Sequence, residues 1–132
     1  MLESYRIMLS ESVYNLAIET AQSSSSKKKV GAVLMCKNKI VTTATNLESK
    51  SHPLQASFAL RAGLPEKIYL HAEIAALIKC RDEVDTIIVA RVNNQNKLRM
   101  SKPCPICSLA LSEAGITHIH YTTNQGFLYE YK

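Results

Sequence analysis

Two short fragments carry side chains able to do chemistry together: His71-Ala72-Glu73 and Pro103-Cys104-Pro105-Ile106-Cys107. A histidine and two cysteines are borderline-to-soft ligands, and the two-residue gap between Cys104 and Cys107 lets both thiolates reach one ion. Structural zinc sites close with four protein ligands, whereas catalytic ones use three and leave a position for water. With Glu73 outside the ligand set, His71, Cys104 and Cys107 make an open three-ligand site. Zinc bound there lowers the pKa of water to about 7, and Glu73 is the nearby proton carrier. His71 and Glu73 are two residues apart and would diverge in the middle of a helix, so they converge only at a helix entrance. A helix start at Cys104 would likewise favour thiolate, because the positive end of the helix lies there. The local rival for Cys104 and Cys107 is a redox pair, but no thioredoxin-like pattern surrounds them.

The surrounding elements are predicted from period and turn residues. Val13, Leu16, Ala17, Ile18 and Ala21 recur at helical spacing, with Ser10 or Ser12 as cap. Residues 30–36 form a short apolar run and 40–45 a β-branched one, joined through Lys37-Asn38-Lys39 as a tight hairpin. Residues 46–70 show no sustained period and contain Pro53, Gly63 and Pro65; a short helix fits 54–62. A helix is expected over 71–80, a fully buried strand over 86–92, a polar loop over 93–102, a helix over 105–114 ending at Gly115, and a strand over 116–121. The tail alternates Phe127, Tyr129 and Tyr131, as an edge strand or a cover over an opening would. This order predicts an α/β fold: a three-layer α/β/α sandwich with a mixed central sheet, in one domain over 1–132.

Composition bounds the partners. Of 132 residues, 46% are hydrophobic and 20% charged, which supports a core without disulfides and argues against bulk disorder. Cys36 and Cys80 lie in apolar segments and read as small core residues; pairing the four cysteines would need an oxidising compartment, to which nothing points. No run approaches the roughly 18 apolar residues of a membrane span, and residues 1–10 lack a signal-like pattern, so a cytoplasmic protein with no membrane partner is expected. Net charge is +5, with Lys27, Lys28 and Lys29 as the clearest basic run. That run reads as a solvated turn, with a phosphate-contacting patch as the alternative.

The pattern HAEIAAL followed by PCPIC, with Cys104 33 positions after His71, resembles the cytidine and deoxycytidylate deaminase superfamily, whose signature is H-x-E…P-C-x-x-C. The resemblance covers roughly residues 12–122, and Val30-Gly31-Ala32-Val33-Leu34 is similar to the family's first strand. It implies Zn2+ on His71, Cys104 and Cys107, with Glu73 moving protons while water attacks C4 of a cytosine or C6 of an adenine. The backbone N–H of Cys104, with that of Glu73 or Ala72, would orient the water or the tetrahedral intermediate, and Asn46 stands where family members place a substrate-contacting Asn. Tyr69 and Tyr121 are candidates to stack on a base, with core packing as the alternative for each. His118 and His120 read as ordinary strand residues and His52 as a surface histidine. Many purine-acting relatives carry Glu-Pro-Cys; here Lys102 precedes Pro103, which leans away from purines, and Leu70 before His71 matches no substrate subclass. The reading is a hydrolytic deaminase of a cytosine-type nucleoside or nucleotide, with a homo-oligomer implied by the resemblance. Two alternatives stand beside it. One is a deaminase of cytosine or adenine in single-stranded DNA or RNA, gripped by Lys27 to Lys29, Arg91, Lys97, Arg99 and Lys102. The other is a non-catalytic, zinc-stabilised accessory module.

Overall fold

The computed structural model describes residues 9–132; the expected lack of a signal pattern in residues 1–8 lies outside the described residues. The elements run α1 (Glu11–Gln22), β1 (Lys29–Cys36), β2 (Lys39–Thr45), β3 (Leu47–Ser51), α2 (Pro53–Arg61), β4 (Tyr69–Leu70), α3 (Ala72–Lys79), β5 (Thr86–Val92), β6 (Leu98–Arg99), α4 (Pro105–Glu113), β7 (His118–Thr123) and β8 (Gly126–Tyr131).

The main sheet has the order β2-β1-β5-β7-β8, with β6 attached to β5, and β3 pairs with β4 apart from it. Among the described residues only the β5–β7 pairing is parallel, so the sheet is mixed, as expected. The β1–β2 connection turns at Lys37 and Asn38, both at positive φ (49° and 68°), the geometry of a two-residue hairpin turn that matches strand twist.

Strand alternation divides the core into two layers. Val33, Met35, Ile88, Ala90 and Val92 pack under α1 with Val13, Tyr14, Ala17 and Ala21. Ala32, Leu34, Ile87, Val89, Ile119 and Tyr121 face the other way, against Ile74 and Ala75 of α3, Ile106 and Leu111 of α4 and Phe58 of α2. Helices thus cover both faces of one sheet, the predicted three-layer arrangement. α1 lies close on β1 at Gly31, where an added Cβ would come 2.4 Å from Ala21 N and 2.8 Å from Thr20 C.

Where the sequence offered no period, the chain is ordered by side chains instead. β3 pairs with β4 across the 46–70 segment, and His52 caps α2 by accepting the Leu54 N–H at Nδ1 (3.0 Å). The polar 93–102 segment contains β6, paired with β5 at Arg91 and Val92. The tail forms the edge strand β8. Among the described residues no helix is long and apolar enough to cross a membrane.

Candidate metal centre

His71 is the residue just before α3, with extended backbone (φ −80°, ψ 153°), so its side chain leaves the helical direction while Glu73 follows it. Cys104 holds the same position before α4 (φ −70°, ψ 170°), Pro105 opens the helix, and Cys107 completes its first turn. Both helix starts stand on the same face of the sheet, and this is how residues 33 positions apart meet.

His71 Nδ1 lies 3.3 Å from Cys107 Sγ and 3.5 Å from Cys104 Sγ. All three ligand atoms fall within 4.8 Å of one another. Tetrahedral zinc, with Zn–N of about 2.0–2.1 Å and Zn–S of about 2.3 Å, would hold N and S about 3.5 Å apart. The donor set and its spacing therefore fit zinc.

The electrostatics agree with the geometry. A hydrogen bond from the Cys107 thiol, reinforced by His71, brings the Cys104 thiol down to about 4 against the pull of burial. The same bond to Cys104, and then burial, raises Cys107, so the sulfur pair holds its first proton loosely and its second firmly. The contact with Cys104 raises His71 as well. Glu73 is buried, and desolvation raises its carboxyl above the ordinary range.

These groups open onto a cavity of about 640 Å³ that His71, Ala72, Glu73 and Cys104 line together. Asn46 and Tyr69 also line it, Tyr69 as an exposed ring at the mouth. Asn46 is buried and largely used by the scaffold: Oδ1 accepts from Ser24 Oγ (2.8 Å) and Val30 N (3.2 Å), and Nδ2 donates to Lys28 O (2.7 Å). One Nδ2 hydrogen is left for a ligand. Tyr121 does not line the cavity; its ring is in the core and its hydroxyl donates to Glu130 Oε2 (2.8 Å). Of the expected basic set, Lys28, Arg91 and Lys102 line the cavity, whereas Lys27, Lys29, Lys97 and Arg99 do not.

The family described as the cytidine and deoxycytidylate deaminase zinc-binding region matches residues 8–123. The chain belongs to this family. No curated protein matches it by sequence. Among solved structures, the apo dCMP deaminase from the cyanophage S-TIM5 is 22% identical and covers 86% of this chain and 84% of its own, with a TM-score of 0.52. The same phage enzyme in complex with dCMP and dUMP is 21% identical, covering 86% and 83%, also at 0.52. This likeness shows that the deaminase fold is shared.

Residues that the motif does not contain hold this deaminase-family site in place. Gln55, fully buried on α2, accepts the His71 N–H at Oε1 (3.2 Å) and donates from Nε2 to Lys67 O (3.4 Å). Ser101 anchors the irregular segment leading to Cys104: its Oγ donates to Val89 O (2.8 Å), accepts from Thr122 N (2.8 Å) and meets Thr122 Oγ1 (2.8 Å). Glu48 accepts from the N–H groups of Lys27 and Lys28, each at 3.1 Å, and fixes the rim. Only the apolar neighbours of Gln55 on a short predicted helix hinted at any of this.

Proposed function

We propose that the protein is a zinc-dependent hydrolytic deaminase of a cytosine-type nucleoside or nucleotide, releasing ammonia. The observation that carries the proposal is the convergence of His71 Nδ1, Cys104 and Cys107 with the buried Glu73 carboxyl at a cavity sized for a small molecule. His71, Cys104 and Cys107 would hold the ion. When bound, zinc supplies a nucleophilic water at neutral pH.

The remaining work falls to the protein's own groups. Glu73 takes a proton from the attacking water and delivers it to ring N3 as the C4–O bond forms. It then passes the second proton of the water to the C4 amino group, so that ammonia leaves and a C4 carbonyl remains. Burial of Glu73 suits this shuttle, because desolvation raises the affinity of its carboxyl for the proton it must carry. Ala72, buried in the first turn of α3, lines the cavity between His71 and Glu73. Asn46 has one amide hydrogen to spare for the substrate, and Tyr69 has an exposed face on which a base can stack.

The polymer reading receives less support, since Lys97 and Arg99 stand away from the cavity. The accessory-module reading leaves the burial of Glu73 beside an open ligand set without a purpose. The test is an ammonia-release screen of the zinc-loaded protein on cytosine, adenine and guanine nucleosides, their nucleotides and short single strands. Release from cytosine nucleosides or nucleotides is expected. Release from none of these substrates would contradict the proposal, and release from purines alone would contradict its cytosine part.

A further inference from the structure

Arg91 stands near the carboxyl end of β5, two residues beyond Val89, so strand alternation turns its side chain toward the layer that carries His71 and Cys104. It lines the same cavity as Glu73. Its Nε is buried, with no hydrogen-bond acceptor among the described residues. No carboxylate pairs with it either: the ion pairs of the described residues join Arg61 to Glu113, and Lys102 and Lys132 to Glu130. Partly burying a guanidinium without a counter-charge is unfavourable, and native structures rarely leave such a group unmatched.

The surroundings have the same sign. Val30 is the register partner of Arg91, so Lys28, two residues earlier, comes to the same end of the cavity. Its backbone is pinned by Asn46 Nδ2 on its carbonyl (2.7 Å) and by Glu48 Oε1 on its N–H (3.1 Å). Lys67 lines the cavity as well, without an ion pair. Of the two cavity acids, Glu73 is buried at the ligand cluster, and Glu48 is committed to the backbone of Lys27 and Lys28. An excess of fixed positive charge along the lining of one cavity calls for an anionic group on whatever enters.

We propose that Arg91, with Lys28 beside it, receives the phosphate of a nucleoside monophosphate and so makes this site select nucleotide over nucleoside. The proposal rests on the deaminase reading and names its substrate class. A planar guanidinium offers paired donors matched to phosphate oxygens, which a lysine does not. A terminal phosphate fits better than a polymer backbone. Arg91 is half-buried inside a cavity of about 640 Å³, within the range of small-molecule sites, and Lys97 and Arg99, which would extend a strand-tracking path, lie off it.

The test uses the zinc-loaded full chain with deoxycytidine, deoxycytidine monophosphate and a short cytosine-bearing single strand as substrates. Binding of deoxyuridine monophosphate is followed by calorimetry in parallel. The monophosphate is expected to be preferred over the nucleoside. In Arg91→Gln that preference, read as the ratio of kcat/KM values, should fall about 10- to 100-fold, the loss expected of a charge-assisted hydrogen bond. Arg91→Lys should keep part of it, and zinc content and Tm show that each variant is folded. An unchanged ratio in Arg91→Gln, or a parent that prefers the single strand or the bare nucleoside, overturns the proposal while leaving deamination intact. Arg91-dependent binding of the monophosphate with no ammonia from any substrate would uphold the phosphate site and overturn the deaminase reading.

Discussion

At the scale of single residues, the site depends on the backbone of His71 as much as on its ring. The N–H of His71 is held by Gln55 Oε1 at 3.2 Å, from a side chain that is wholly buried. Partners that orient a ligand from behind typically matter 10- to 100-fold in metal affinity. Gln55→Leu is therefore expected to weaken zinc binding about 10- to 100-fold. It should also lower stability by about 1–3 kcal/mol, because the His71 N–H loses its acceptor. A competition titration against a chromophoric chelator reads the first effect; an unaltered zinc affinity would show that Gln55 serves only the packing of α2. The ligands themselves were legible in the sequence, because their types and spacing are fixed by the metal. Gln55, Ser101 and Glu48 were not, because each acts on segments distant along the chain through side-chain hydrogen bonds, which leave no period. Arg91 could be counted among the basic residues, but its missing counter-charge is visible only in three dimensions. Tyr121 shows the reverse: its aromatic type suggested a base contact, while its hydroxyl is engaged by Glu130.

At the scale of elements, the hairpin, β5 and α4 were readable because hydrophobic period and turn residues agree there. β5 lies where the unbroken run of apolar residues put it, and α4 begins at the proline that opens it. β3, with the polar sequence LESKS, carries no such signal; it is held by pairing with β4, by the Glu48 carboxylate accepting from Lys27 and Lys28 ahead of β1, and by the Glu48 N–H donating to Ser26 Oγ there. The contact of α1 with the sheet also has a polar component. His120 of β7 is buried and shares a 2.9 Å hydrogen bond between Nδ1 and the hydroxyl of Tyr14 on α1, with His118 and Tyr129 as its other polar neighbours. Burial, and then the charge of His118, bring its pKa down to about 4. In the unfolded chain a histidine titrates near 6.5. Below about pH 6.5 the unfolded state takes up a proton that the folded state refuses until about pH 4, so stability is complete above that window and is lost as pH falls through it. The ligand histidine and cysteines also titrate on acidification, so the informative quantity is the difference between the parent and His120→Phe. Tm is expected to fall more steeply with acid in the parent across this range. Parallel Tm curves would remove His120 from the account.

At the scale of the whole molecule, one sheet with helices on both faces brings two helix starts to a common end, and five stretches of chain meet there: 28–30, 46–48, 67–73, Arg91 and 100–107. The architecture was legible because alternating strands and helices leave few ways to cover both faces. The cavity was not, since its walls come from segments that lack regular period. The central claim is that the ligand cluster binds zinc for chemistry in which Glu73 moves the proton. The most direct measurement is zinc content and ammonia release, side by side, for the parent and Glu73→Gln. The account predicts about one zinc per chain in both proteins, the stoichiometry of a three-ligand catalytic site. Turnover in the variant should be lower by at least about 100-fold, the usual contribution of general acid–base catalysis. A variant as active as the parent, or a parent that is folded and active without metal, would contradict it.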